Sequence, residues 1–300
     1  MSEGRPCRSR LRRRGAAPVW AALAGLLAAA RPAEAADAAR QLAAQLDAQG
    51  DHAAAAIEYR RLALDPAESA GRGAAYWLAA YEYWRDDRPP AARRMLERAE
   101  EAAPELRPAG LLLRGETAAA ERRWSEAGFF FETAAEGAAG AQERFLRRRA
   151  AEMWLRAGDP AAAEESLRRA APPEAAGLDA LAAYRRGRDK SPRLGGLLGL
   201  LPGLGYAYAG EYANATRSLI LNGLFGYGMW STAREEQWGA FGVITFFEFT
   251  WYSGSIYGGV DAAHRYNRER LEAAAATVRG DAAFAPNLEA WPLLRLDFRF

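Results

Sequence analysis

The sequence predicts an all-α protein: a helical-hairpin repeat array, then a transmembrane helical hairpin, then a short strand-like tail. Three observations carry that prediction. Residues 37–190 are alanine-rich, charged and helical in period. Residues 194–267 hold two long apolar runs, 219–233 and 238–260, separated only by Arg234, Glu235, Glu236 and Gln237. The chain then ends Leu294-Arg295-Leu296-Asp297-Phe298-Arg299-Phe300, alternating apolar and charged side chains with the period of a strand. The 300 residues thus divide into a leader over 1–35, a repeat domain over 36–190, a membrane-embedded hairpin domain over 191–270, and a helix end with its tail over 271–300.

The leader has the layout of a secretory signal. Arg5, Arg8, Arg10, Arg12, Arg13 and Arg14 precede the apolar run 15–30, and Ala33-Glu34-Ala35 supplies a small-x-small cleavage site. An uncleaved anchor is the alternative. These arginines with Arg31, set against Glu3 and Glu34, contribute +5 of a formal net charge of +2, which leaves the remainder at −3. Nothing in that balance points to nucleic acid. Cys7 is the single cysteine and precedes the apolar run, so cleavage leaves a chain without disulfides, cysteine nucleophiles or cysteine metal ligands.

In the repeat region, Gly50-Asp51 and Gly158-Asp159 are plain turns, and steps of 36 between them fall on Asp86 and Arg122. Ala92, Leu96 and Ala99 stand at i, i+4 and i+7, as do Ala127, Phe131 and Ala134, and Ala163, Leu167 and Ala170. This places two small residues and one large one on a single helix face, so that a neighbouring helix approaches closely and the large side chain fills the gap. The first unit ends at Asp65-Pro66, where proline stops the helix. Helical hairpins of this length resemble tetratricopeptide repeats, whose unit is about 34 residues. About four units over half the chain carry the resemblance, without a clean Trp-x-x-Leu-Gly opening in any first helix. It implies a curved array with a face for protein partners.

Tyr76, Trp77, Tyr81, Tyr83 and Trp84 form the densest aromatic group. Tyr76, Trp77, Tyr81 and Trp84 are the candidate partner-binding residues. Packing between repeats is the competing reading, since aromatic side chains usually supply core area. A short helix over 175–186 caps the array, and Arg185 to Arg193 form a basic linker suited to anionic headgroups.

The hairpin domain opens Leu201-Pro202-Gly203-Leu204-Gly205-Tyr206-Ala207-Tyr208-Ala209-Gly210. This string resembles the Pro-Gly-x-Gly-x-x-Tyr-x-Gly opening of small two-span membrane domains of many bacterial proteins. The second apolar run closes in the same style, through Tyr252, Gly254, His264 and Asn267. The motif residues are therefore Pro202, Gly203, Gly205, Tyr208, Gly210, Tyr252, Gly254, His264 and Asn267. A helix of about 20 apolar residues crosses ~30 Å of hydrocarbon, and the run 238–260 reaches that length. Pro202 and its glycines suit a re-entrant segment packed on the hairpin, with two crossings preferred to three. Gly223, Gly226 and Gly228, with Gly254, Gly258 and Gly259, invite close helix packing.

Glu248 lies midway along the second run, with Asn222 on the first as its expected hydrogen-bond partner. Such an intramembrane polar pair is a structural clasp or a transport site. His52 and His264 are the only histidines and lie in different halves, so no triad is legible. A phosphate-binding glycine loop, paired catalytic acids, metal clusters and cofactor motifs are likewise not legible. The expected protein is non-enzymatic and binds no cofactor, metal, nucleic acid or small-molecule substrate. It is a membrane-anchored adaptor in a bacterial envelope, touching lipid and holding protein partners with its repeats in the periplasm. The alternative is a small transport or lipid-handling component acting through Glu248 and Asn222.

Overall fold

The computed structural model describes residues 36–299, so the expected leader over 1–35, with Cys7, and the terminal Phe300 lie outside the described residues. The described chain forms two compact units, one of residues 36–120 with 286–297, the other of 121–285 with 298–299.

The first unit contains α1 (36–48), α2 (His52–Leu64), α3 (Arg72–Arg85), α4 (Pro89–Ala102) and α5 (Arg107–Ala120). Helix ends follow the local chemistry. The Asp51 side chain accepts a hydrogen bond from the Ala54 amide at 3.0 Å and caps α2, while Pro89 opens α4 at a position where no intrahelical N–H is needed. The second unit begins with α6 (Trp124–Glu136), α7 (Gly140–Arg156), α8 (Pro160–Arg169) and α9 (Ala175–Arg186). Asp159 caps α8 by accepting from the Ala161 and Ala162 amides.

Each helical hairpin turns on one residue in the left-handed region: Gly50 (φ 79°), Asp87 (φ 54°), Arg122 (φ 59°) and Gly158 (φ 83°). Successive steps are 37, 35 and 36 residues. The next amide donates five residues back at three of these turns, Asp51 to Leu46, Arg88 to Tyr83 and Asp159 to Trp154, at 2.9–3.0 Å. That bond satisfies a carbonyl that the ending helix leaves without a partner. Five residues after each turn stands Ala55, Ala92, Ala127 or Ala163. Nine residues after stands Tyr59, Leu96, Phe131 or Leu167, and twelve after stands Leu62, Ala99, Ala134 or Ala170. All twelve are buried. The chain is therefore a helical-repeat protein whose buried face recurs in register, small–large–small in three repeats and with Leu62 at the last position of the first. The even step of 36 places Asp86 and Ala91 in phase. The structure shifts both by one, to Asp87 and Ala92.

The remaining helices of the second unit are α10 (Pro192–Leu198), α11 (Leu204–Ala209), α12 (Tyr212–Arg234) and α13 (Trp238–Arg279). The 42 residues of α13 run unbroken through the expected boundary at 270. Its last turns place Ala274, Ala275 and Val278 in one core with Ala151 and Leu155 of α7, Ala163 and Leu167 of α8, and Leu181 of α9. Arg156 reinforces this seam with two hydrogen bonds to Glu272, at 2.7 and 2.9 Å.

The expected transmembrane hairpin is overturned: among the described residues no helix is long and apolar enough to cross a membrane. The physical reason lies in composition. In α12 the apolar stretch is interrupted by Asn222, Ser231, Thr232 and three glycines, with Arg217 and Ser218 just before it. In α13 Thr245, Glu248, Thr250, Ser253 and Ser255 dilute it, and the tryptophans, tyrosines and glycines between them contribute little hydropathy. Counting those residues as apolar overstated both runs, and the integral-membrane placement built on them loses its support.

The expected close helix packing through glycines is also relocated. Gly223, Gly226 and Gly254 face open space, whereas Gly228 approaches Ile244 of α13, Gly258 packs on Tyr206 of α11, and Gly259 meets α10 and α11. At the C-terminus β2 (Arg295–Arg299) is not a lone strand, since it pairs with β1 (Ala283–Asn287). Phe284 and Phe298 pack on Phe145, with ring centroids at 5.8 and 5.4 Å.

Candidate functional site

Three places gather the side chains that could do chemistry or bind. The first joins α1, α2 and α3. The turn at Gly50 folds Asp47 back beside His52, and Glu82 enters from α3. His52 Nδ1 lies 2.8 Å from Glu82 Oε2 and 3.7 Å from Asp47 Oδ1. Arg85, one turn beyond Glu82, is ion-paired with Asp47 and stands 4.0 Å from Glu82 Oε1. The Glu82 side chain is 1% exposed. Burial pushes its pKa up to about 8, the Asp47 charge adds to the rise, and Arg85 opposes it. Burial, with the Glu82 and Asp47 charges, also raises the Tyr59 phenol.

Ligand atoms of Asp47, His52 and Glu82 all lie within 4.8 Å of one another, a set that could hold a metal ion. The sequence reading saw no such cluster, because thirty residues separate His52 from Glu82. The turn that brings Asp47 beside His52 was its one legible signal. The Arg85 guanidinium already supplies a positive charge at this place. With Glu82 buried, the cluster is a hydrogen-bonded and ion-paired knot between three helices.

The second place is the aromatic group of α3. Tyr76, Trp77 and Tyr81 are buried, and Trp77 stacks on Tyr81 at 5.7 Å with rings 10° from parallel. Trp84 is half-buried and tilts against Tyr81. Arg98 of α4 lies 5.9 Å over the Tyr76 ring, and Arg85 5.6 Å over Tyr81. These rings fill the space between helices. As a ready contact surface the buried Tyr76, Trp77 and Tyr81 are unavailable, and Trp84 is half-buried.

The third place is the glycine-rich segment and its seat on α13. Gly203 takes φ 88° just after Pro202, and a Cβ there would come within 2.4 Å of the Ala215 carbonyl oxygen. A Cβ on Gly205 would meet the Gly195 carbonyl oxygen at 2.6 Å, and one on Gly259 would meet it at 2.3 Å. Only hydrogen fits between these backbones. Gly210, at φ 91°, ends α11. Tyr252 donates its hydroxyl to the Leu200 carbonyl at 2.8 Å, and the Tyr208 hydroxyl accepts from the Ser191 amide at 2.9 Å. Asn267 holds the Lys190 backbone at both its polar groups. His264 is exposed. The motif residues with partners thus fasten α10 and α11 to α13.

Glu248 and Asn222 do not pair. Asn222 Nδ2 donates to the Ser218 carbonyl at 2.6 Å, while Asn222 Oδ1 and Glu248 Oε2 are buried without hydrogen-bond partners. Burial raises the Glu248 pKa. The seam between α12 and α13 is polar, with Ser218 Oγ donating to Ser255 Oγ at 3.1 Å, and the outward faces are apolar.

On the repeat helices of the second unit, a groove of about 290 Å³ lies between α6 and α8. Phe129 and Trp154 line it, with Glu136, Glu132 (ion-paired with Arg147) and the Glu165–Arg169 ion pair around them. Phe129 is 60% exposed. No protein-family model, curated protein or solved structure matches this chain.

Proposed function

We propose that this protein is a non-enzymatic adaptor that binds protein partners through a tetratricopeptide-like array of helical hairpins. The observation that supports this reading is the groove between α6 and α8. Phe129 stands there largely in solvent beside Trp154, and three glutamates surround the pair. Glu132 is ion-paired with Arg147 and Glu165 with Arg169, which also lines the groove, so Glu136 is the carboxylate left to meet a lysine or arginine beside a large apolar side chain of a partner segment. The repeat frame holds this surface rigid, because Phe131 and Ala127 on the opposite side of α6 are fully buried. The buried knot at Glu82 offers no access to a substrate, in keeping with a binding role. Export to a bacterial envelope belongs to the same proposal and rests on the three-part pattern of residues 1–35.

The test is site-specific photo-crosslinking in the native host. A photo-reactive residue at position 129 should give a discrete adduct that a Glu136→Lys, Glu165→Lys double variant abolishes. The same probe at the buried position 131 serves as the negative control. An adduct indifferent to the charge reversal, or none at 129, would remove the groove from the argument.

A further inference from the structure

We infer that the mouth of the α11–α12–α13 bundle is a binding site for a single-chain anionic amphiphile, of which a free fatty acid is the simplest. The site is a cavity of about 300 Å³, with Ser218 and Ser255 among its lining and Tyr206, Trp251 and Gly254 around them. Arg217 also lines it. Among the described residues Arg217 has no carboxylate partner, and its hydrogen bond to Asn214 Oδ1 is long, at 3.4 Å. The nearby acid is already compensated, because Glu211 accepts from Arg265 at 2.8 and 2.9 Å and from Asn214 at 2.6 Å. Arg217 is therefore a guanidinium without a carboxylate counter-ion among the described residues, beside a cavity whose wall holds the Ser218 and Ser255 side chains. An anionic head bound there gains charge-assisted hydrogen bonds.

The apolar part of the ligand is specified by α13. Val243, Phe247, Trp251 and Gly254 follow one another by four, four and three residues and so share a helix face. Val243, Phe247 and Trp251 are 58%, 56% and 49% exposed. From Gly254 in the cavity wall to Val243 the stripe runs about 16 Å, at 1.5 Å per residue, enough for a dodecyl-length chain. A bare anion would leave this stripe uncovered, and a neutral hydrocarbon would leave Arg217 unmatched. An alkyl chain with an anionic head satisfies both.

The test uses the full chain and monomeric ligands below their micelle concentrations, followed by calorimetry. Laurate and dodecyl phosphate should bind, dodecyltrimethylammonium should bind at least tenfold more weakly, and acetate and inorganic phosphate should give no heat. Arg217→Gln should weaken laurate at least tenfold while Arg217→Lys retains most of the affinity. Gly254→Leu, placed where the glycine faces open space, should block laurate with the circular dichroism unchanged. Equal binding of the cationic amphiphile would overturn the inference in favour of unspecific apolar adsorption. Binding of inorganic phosphate as tight as that of dodecyl phosphate would reduce the site to a bare anion site. Unchanged laurate affinity in Arg217→Gln would sink it outright. Displacement of laurate by phosphatidylglycerol vesicles would overturn the free monomer in favour of a bilayer headgroup.

Discussion

His52 Nδ1 and Glu82 Oε2 lie 2.8 Å apart, within hydrogen-bond distance at a place almost closed to water, with Asp47, Arg85, Tyr59 and Tyr81 around them. The folded chain holds the Glu82 proton up to about pH 8, against an ordinary carboxyl value of 4.5. The sign follows from linkage: a group whose folded pKa is raised contributes stability that is complete below its unfolded pKa and lost as pH rises through the folded one. Between about pH 4.5 and 8 the first unit should therefore lose stability, on the order of 5 kcal/mol at about 1.36 kcal/mol per pH unit. Urea melts across that range should show the slope, and Glu82→Gln should flatten it and gain stability at pH 8. A wild-type profile without slope, or the same slope in Glu82→Gln, would refute the assignment.

Arg122 occupies a turn position that glycine fills in two of the four repeats. A side-chain-bearing residue in the left-handed region costs roughly 1 kcal/mol. Arg122→Gly should accordingly raise stability by about 0.5–1 kcal/mol, whereas Gly158→Ala, at φ 83°, should lower it by a similar amount. Equilibrium denaturation of both variants checks the pair, and the opposite order of midpoints would be inconsistent with a common turn geometry.

Gly259 and Gly254 are five residues apart on α13 and differ in what a methyl group would meet. At 259 it would strike the Gly195 carbonyl oxygen at 2.3 Å, and at 254 nothing lies within 4 Å. Gly259→Ala should push α10 off its seat and cost about 1–3 kcal/mol. Gly254→Ala should be neutral or stabilising by up to about 1 kcal/mol, the helix propensity difference. Hydrogen exchange at residues 192–198 separates them, with faster exchange expected only in Gly259→Ala.

How much of this was legible in the chain depended on range. The repeat register could be read because Ala127, Phe131 and Ala134, and their counterparts, encode it within two turns of helix. The turn at Asp87 slipped by one residue because the steps are 37 and 35, not 36 twice. The Asp47–His52–Glu82 knot was invisible, since its members meet only once three helices have packed. The spans were misjudged for a different reason: Trp, Tyr, Gly and Thr lengthen an apolar run on paper without adding the hydropathy a crossing needs. Glu248 and Asn222 were matched by depth along two supposed spans, but Asn222 binds one turn back within its own helix.

Phe129 and Phe131 show how one helix divides between frame and surface. Phe131 is fully buried at the recurring large position, whereas Phe129 is 60% exposed. Phe131→Ala should cost about 3–5 kcal/mol, the transfer loss plus an unfilled cavity against Ala127 and its neighbours. Phe129→Ala should shift stability by no more than about 0.5 kcal/mol, as surface substitutions do. If the groove is the partner site, only Phe129→Ala should abolish the adduct formed by a photo-probe placed at position 133 while keeping the wild-type melting temperature. Equal destabilisation by the two alanines would mean that α6 does not present the faces described, and the groove would fall with it.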